Sequence, residues 1–237
     1  MVLLAAFTSA SGNPASHVIC REDVSPEQRA QVEVKLRQIT GFHDLSFDSS
    51  GALHFNPKVV SDGSVSARAL LKRAVYGSRV IIIEDASRRA DVVFARVVPG
   101  RWKHQPQNPP PVFVVLVDFA DFDYLMGDGP ALQAFNVGWA VLHELDHAVE
   151  DSEDTTTQGE LGDCETHLNQ MRQECGLPLR VDYFHTLFPI AASSDFRTQF
   201  VRLSFVEESG AATRHYWLIW DARLVGGLDE RRVATLR

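Results

Sequence analysis

Long apolar runs are missing from this chain, and so is any surplus of positive charge. No stretch approaches the roughly 20 consecutive apolar residues that a bilayer-spanning helix requires, so no membrane partner is expected. Lys and Arg number 23 against 31 Asp and Glu, a formal net charge of −8. A protein that grips nucleic acid needs a concentrated basic surface for the phosphates, and that class is set aside. Cysteine is scarce: Cys20, Cys164 and Cys175 are an odd, unclustered set, which excludes a secreted disulfide framework. Cys164 and Cys175 on one helix would stand about three turns apart, roughly 16 Å at 1.5 Å per residue. The expectation is reduced thiols in a cytosol-like compartment. The opening MVLLAAFTSASG has a short apolar run with no Lys or Arg before it, so it does not read as an export signal. It is expected to be a first strand or a mobile arm, in a protein that is cytoplasmic or exported without a Sec signal peptide.

What is present is an ordinary globular composition over 237 residues, enough for a sizeable core. One domain over 1–237 is expected, with a motif-bearing core at about 112–188 and strand-rich flanks at 1–111 and 189–237. PEQRAQVEVKLRQI (26–39) reads as an amphipathic helix, capped by Ser25, with Pro26 at its first position and Gly41 as its stop. LSFDSSGALHF is a hairpin signal, and SARALLKRAVYG a second helix ending at Gly77. RVIIIE (79–84), DVVFARVV (91–98) and VFVVLVDF (112–119) read as strands, the last as either a buried strand or a sheet edge. RWKHQPQNPPP is a proline-rich extended connection. QFVRLSFVEES and TRHYWLIWDARLV form a strand pair joined around Ser209-Gly210. Helices and strands mix without regular β-α-β alternation, so the fold class is α+β.

VLHELDHAVED (141–151) carries the chemistry. Asp128 to Pro130 starts a helix expected to run from Ala131 to about Glu150, interrupted only by a tolerated Gly138. Residues four apart share a helix face, with Cβ atoms about 5–6 Å apart, so His143 and His147 can point at one ion. Glu144 sits one position around the cylinder, able to reach a water on that ion without being a ligand. This is the H-E-x-x-H zinc peptidase arrangement, and it implies one Zn2+.

A catalytic site needs a third ligand and an open position. GELGDCETHLNQMRQECGLP reads as the next helix and supplies Glu165 as first choice, with Glu160, Asp163 and His167 competing. Asn169, one turn after Glu165, would orient a ligand from behind it. Arg172 is expected to pair with Glu174 or Asp163. The acidic EDSEDTTTQGE between the two helices reads as a solvated connection.

With HELDH, Glu165 and NQMRQECGLPLRVDY in view, the chain resembles the gluzincin metallopeptidases. Within them it is similar to the NleD-like bacterial effector peptidases, over roughly residues 130–185. That resemblance rests on Asn169-Gln-Met-Arg172 and Arg180-Val-Asp-Tyr183; an arginine and tyrosine pair also lies near the zinc of clostridial neurotoxin light chains. It implies a zincin-like fold, with a mixed sheet, an active-site helix and a following helix bearing the third ligand. It also implies that Arg180 and Tyr183 donate to an oxyanion, with His185 a second candidate donor. The expected function is hydrolysis of peptide bonds in a protein or peptide substrate, Glu144 acting as general base. The rival expectations are a non-catalytic binding protein on a zincin fold and a zinc hydrolase of a non-protein amide.

Overall fold

The computed structural model describes residues 16–87, 89–102, 107–187, 200–210, 212–225 and 233–234. The expectations for the opening 1–15, for part of the proline-rich connection and for 188–199 fall outside these residues. Among the described residues no helix is long and apolar enough to cross a membrane.

The first sheet collects β1 (Val18–Cys20), β4 (Val80–Asp85), β5 (Ala95–Pro99) and β6 (Val112–Val117) in the order β1-β4-β6-β5. The first three are parallel, and β5 runs antiparallel to β6. β6 is therefore interior, and the exposed edge beside the H-E-x-x-H helix belongs to β5. Ile81, Ile83, Val115 and Val117 from the interior strands enter the main core, which explains why β4 and β6 read as near-continuous β-branched runs. The strand expected over 91–98 begins only at Ala95, because Phe94 takes a left-handed backbone with φ 61.

On this sheet lie α1 (Pro26–Thr40), α2 (Val65–Tyr76) and α4 (Val137–Glu150), with α4 packed against both other helices and against β5 and β6. Ser25 closes a capping box with Gln28, and Gly41 (φ 73) ends α1 by returning its N–H to Arg37. Ser64 caps α2. Between them β2 (Ser46–Phe47) and β3 (Leu53–His54) form the expected hairpin.

The helix expected to be continuous from Ala131 is two: α3 (Gly129–Ala134) and α4. Phe135 is extended (φ −144, ψ 110) and its ring packs edge-on against Phe94 at 5.1 Å, while the Asn136 side chain accepts the Gly138 N–H. A hydrophobic anchor followed by a cap thus restarts the helix. Gly138 has a packing reason: a Cβ there would stand 2.6 Å from Lys35 Cβ of α1.

The second sheet is built on β10 (Phe200–Ser209) and β11 (Ala212–Asp221), an antiparallel pair in register from Phe200↔Asp221 to Ser209↔Ala212. β7 (Met126–Gly127) joins β11; β8 (Leu179–Arg180) and β9 (His185–Leu187) join β10; β12 (Val233–Ala234) joins β9. Val201, Leu203, Phe205, Leu218 and Trp220 form a second core with Ala131 and Ala134 of α3. Packed against α4, α2 and β8 is α5 (Gly162–Glu174). Mixed strands and helices make the fold α+β.

Candidate metal centre

α4 is buried on most of its surface: Trp139, Val141, Leu142, Leu145 and Ala148 are all in the main core. His143, Glu144 and His147 therefore face an interior wall rather than a solvated one, and Glu144 is 7% exposed. The Nε2 atoms of His143 and His147 stand 3.1 Å apart with their rings nearly perpendicular. Two nitrogens so close are aimed at one point.

The third atom at that point comes from the loop after α4. Asp151 ends the helix in a left-handed conformation (φ 54) and forks onto Arg79 at 2.6 and 2.8 Å. The same arginine caps the Ala148 carbonyl at 2.6 Å. The chain then turns back over the histidines, and the Ser152 carbonyl accepts from His147 Nδ1 at 2.8 Å. That bond places the ring proton on Nδ1 and leaves Nε2 as a lone-pair donor. Asp154 Oδ1 lies 3.3 Å from His143 Nε2 and 3.4 Å from His147 Nε2. It is buried and, among the described residues, has no hydrogen-bond partner. A buried carboxylate oxygen without a hydrogen bond is costly unless a cation, an imidazolium or a metal ion, stands beside it.

His143, His147, Asp154 and Cys164 offer ligand atoms all within 4.8 Å of one another, a group that could hold a metal ion. Cys164 stands apart within it: its Sγ meets the far nitrogen of His143, Nδ1, at 3.3 Å and leans on the His143 carbonyl at 3.5 Å. Burial, followed by the nearby Asp146, Asp154 and Glu165, pushes its thiol well up in the metal-free site. The converging donors are the two Nε2 atoms and Asp154 Oδ1.

Glu165, expected as the third ligand, is instead fully buried between two arginines. Its Oε1 accepts from Arg172 Nη1 and its Oε2 from Arg180 Nη1 at 2.9 Å. Its nearest approach to the histidines is 3.7 Å, to His143 Nδ1, the side away from Asp154. Arg172 thus pairs with Glu165 rather than with Glu174 or Asp163; Glu174 caps α2 through Ser64 and Ser66. Of the competing ligands, His167 bonds Asp146 at 2.9 Å, Glu160 bonds Thr155 at 3.3 Å, and Asp163 is exposed at the start of α5. Asn169 braces the arginines, not a histidine: its Oδ1 accepts from Arg172 Nη1 and the Arg180 N–H, and its Nδ2 donates to the Arg180 carbonyl.

Arg180 directs its guanidinium to Glu165 and to the carbonyls of Asp182 and Tyr183. The Tyr183 hydroxyl donates to Asp154 Oδ2, and its ring lies 6.3 Å from that of His143. His185 lines the adjoining cavity, 5.5 Å from the Trp220 ring.

Charge in the site follows from these contacts. Burial opposes ionisation of Asp154, but His143, His147 and Tyr183 outweigh it and hold the carboxyl far below its ordinary range. Burial also works against a charged His147, yet Asp154 and the Ser152 carbonyl raise it to about 9. Glu144 is shifted up by burial, against the pull of His143, His147 and the Val97 N–H. That N–H donates to Glu144 Oε2 at 2.7 Å. A carboxyl with elevated proton affinity beside a candidate ion is the property of a general base.

The acid that reading the chain missed, Asp154, lay in the segment taken for a solvated connection. Its signal was available: an acidic cluster directly after the second histidine, on a loop short enough that the chain must fold back over α4. No known family, no curated protein and no solved structure matches this chain.

Proposed function

We propose that the protein is a zinc-dependent hydrolase of peptide bonds in a protein or peptide substrate. The observation that carries this reading is Asp154 Oδ1, buried, without a hydrogen bond among the described residues and nearly equidistant from two imidazole nitrogens. The three donor atoms are 3.1, 3.3 and 3.4 Å apart. Tetrahedral ligands each about 2.0–2.1 Å from zinc are about 3.3 Å from one another. Two imidazoles and one carboxylate, leaving a fourth direction open, is a catalytic rather than a structural donor set. His143, His147 and Asp154 would hold the ion, in place of the Glu165 ligand that the gluzincin resemblance implies.

Zinc bound there supplies Lewis acidity, which eases ionisation of water and polarises a carbonyl. The chain's own residues do the rest. Glu144 Oε2 is fixed by the Val97 N–H, which leaves Oε1 to take the proton of the attacking water and return it to the leaving amine. The same bond ties the base to the edge strand. In the β5–β6 ladder Phe94 and Gly100 bond inward, through Asp118 N–H and to the Val112 carbonyl, so by alternation Ala95 and Val97 face outward. Their N–H groups are taken, by the Val93 carbonyl and by Glu144, so an extended substrate would align on the Ala95 and Val97 carbonyls, beside Glu144. Tyr183 and Arg180 act as positioning residues: Tyr183 steadies Asp154, and Arg180 steadies Glu165 behind His143.

The test is zinc analysis of purified protein, then identification of new peptide termini in a cell lysate treated with wild type or Glu144→Gln. One zinc per chain in both is expected, with cleavage in the variant lower by about 10²–10⁴-fold. Equal cleavage by both proteins, or no zinc in either, would remove the reading.

A further inference from the structure

Beside the site is a cavity of about 130 Å³ whose lining includes His143 and Glu144. Phe94, Trp139, Phe184 and Trp220 form its walls, and Arg172 and Arg180 reach it from α5 and β8. The two arginines share a single carboxylate, Glu165. No ion pair among the described residues joins either one to Glu144, whose carboxylate is directed to the Val97 N–H. Within this ion-paired cluster two guanidiniums thus answer to one carboxylate, at a depth where Arg172 is 1% exposed. Buried charges are ordinarily neutralised by a partner, because desolvation of an isolated ion costs several kcal/mol.

Arg172 also has bonding capacity left. Its Nε donates to the Ala134 carbonyl at 2.9 Å, and its Nη1 to Glu165 and Asn169. Its Nη2 has no acceptor among the described residues, while the guanidinium plane rests on Trp139 at 5.2 Å and Phe205 at 5.7 Å. A rigid, desolvated N–H donor in an aromatic-walled cavity suits an anionic acceptor oxygen carried on an apolar stem.

We propose that this cavity binds a carboxylate of the substrate, with Arg172 as its recognition residue. The carboxylate belongs either to an acidic side chain next to the cleaved bond or to the free end of a peptide. That it belongs to a substrate rests on the peptidase reading; that the cavity takes a carboxylate does not.

The experiment uses chelator-treated, metal-free protein, so that carboxylate bound directly to an ion does not contribute. Binding of 3-phenylpropanoate and of its neutral amide, 3-phenylpropanamide, is measured by calorimetry and by tryptophan fluorescence. The carboxylate is expected to bind at least about tenfold tighter, as a charge-assisted bond implies. Arg172→Met is expected to abolish that preference. Should Arg172→Met fail to fold, Arg172→Lys retains the charge without the Nη2 donor and is expected to weaken carboxylate binding several-fold. N-acetylglutamate α-amide and N-acetylphenylalanine then separate the sources: tighter binding of the first assigns an acidic side chain, of the second a chain end. Equal affinity for carboxylate and amide, no binding of either, or a preference that survives Arg172→Met would overturn the proposal. Absence of peptide cleavage by zinc-loaded protein alongside intact carboxylate preference would remove the peptidase reading and leave this one standing.

Discussion

Glu165 and Asp154 approach the same histidine, His143, from opposite sides of its ring, and they are neutralised in different ways. Glu165 meets His143 Nδ1 and is held by two guanidiniums that stay charged at any physiological pH. Asp154 meets Nε2 of both histidines, groups that carry charge only when protonated. The inner cluster is a permanent brace tying α5 to β8. The outer cluster is a socket, whose carboxylate can be answered by a proton on His147 or by a metal ion. The difference teaches that a buried acid near an H-E-x-x-H helix is not a ligand by proximity alone: its other partners decide.

Removing the inner acid has the largest expected effect. Glu165→Ala leaves Arg172 and Arg180 buried without their counter-ion, which costs about 3–5 kcal/mol of stability. Urea unfolding should record that loss equally with and without zinc. A loss that zinc reverses would instead place Glu165 in the socket. The wild-type protein should show the same brace on acidification. Burial opposes the charge on Glu165, and Arg172 and Arg180 overcome it, bringing its pKa down from 4.5 to about 2. A depressed carboxylate contributes stability above its unfolded value and loses it as pH falls through the folded one. About 3 kcal/mol should therefore disappear between pH 4.5 and pH 2, and Glu165→Gln should lack this segment of the unfolding profile.

The socket should respond at the other end of the scale. In metal-free protein His147 is raised from 6.5 to about 9, burial opposing the charge while Asp154, the Ser152 carbonyl and Glu144 favour it. A raised histidine stabilises fully below its unfolded pKa, and that stability is lost as pH rises through the folded one. Metal-free protein is thus expected to lose about 3 kcal/mol between pH 6.5 and 9. Saturating zinc should abolish the slope, because a ligating imidazole is neutral. A slope unchanged by zinc would mean that His147 does not take part in the socket.

The two clusters differ in how far they could be read from the chain. The histidine pair was legible because helical spacing fixes residues four apart on one face, and Ser25, Gly41 and Ser209-Gly210 marked element ends through local turn chemistry. The α3–α4 break at Phe135 was not, since it depends on contacts with Phe94, a residue 41 positions earlier whose own backbone is left-handed. The edge strand was left open for a like reason: β5 and β6 read alike, so 112–119 could be buried or edge, and only the sheet order places β6 inside. Glu165 drew attention because it sits on a regular helix, where positions are countable. Asp154 sits on a loop whose path is set by the Arg79–Asp151 fork and the Ser152 carbonyl, contacts that no periodicity encodes.

The finest test of the contrast is the single hydroxyl that joins the socket to the R-x-x-Y segment. Tyr183 donates to Asp154 Oδ2, the oxygen turned away from the histidines. Its ring meanwhile lies 5.1 Å from the Arg180 guanidinium, which is itself bonded to Glu165. Tyr183→Phe keeps that ring in place and removes only the hold on Asp154. An outer hydrogen bond of this kind is worth about 10–100-fold in metal affinity, whereas one hydrogen bond contributes about 1 kcal/mol to folding. Competition with a chromogenic chelator should therefore show zinc affinity reduced by that factor, with a small shift in the metal-free unfolding midpoint. If zinc affinity were unchanged and stability fell instead, the tyrosine would belong with the brace, and the division between permanent and exchangeable charge would have to be redrawn.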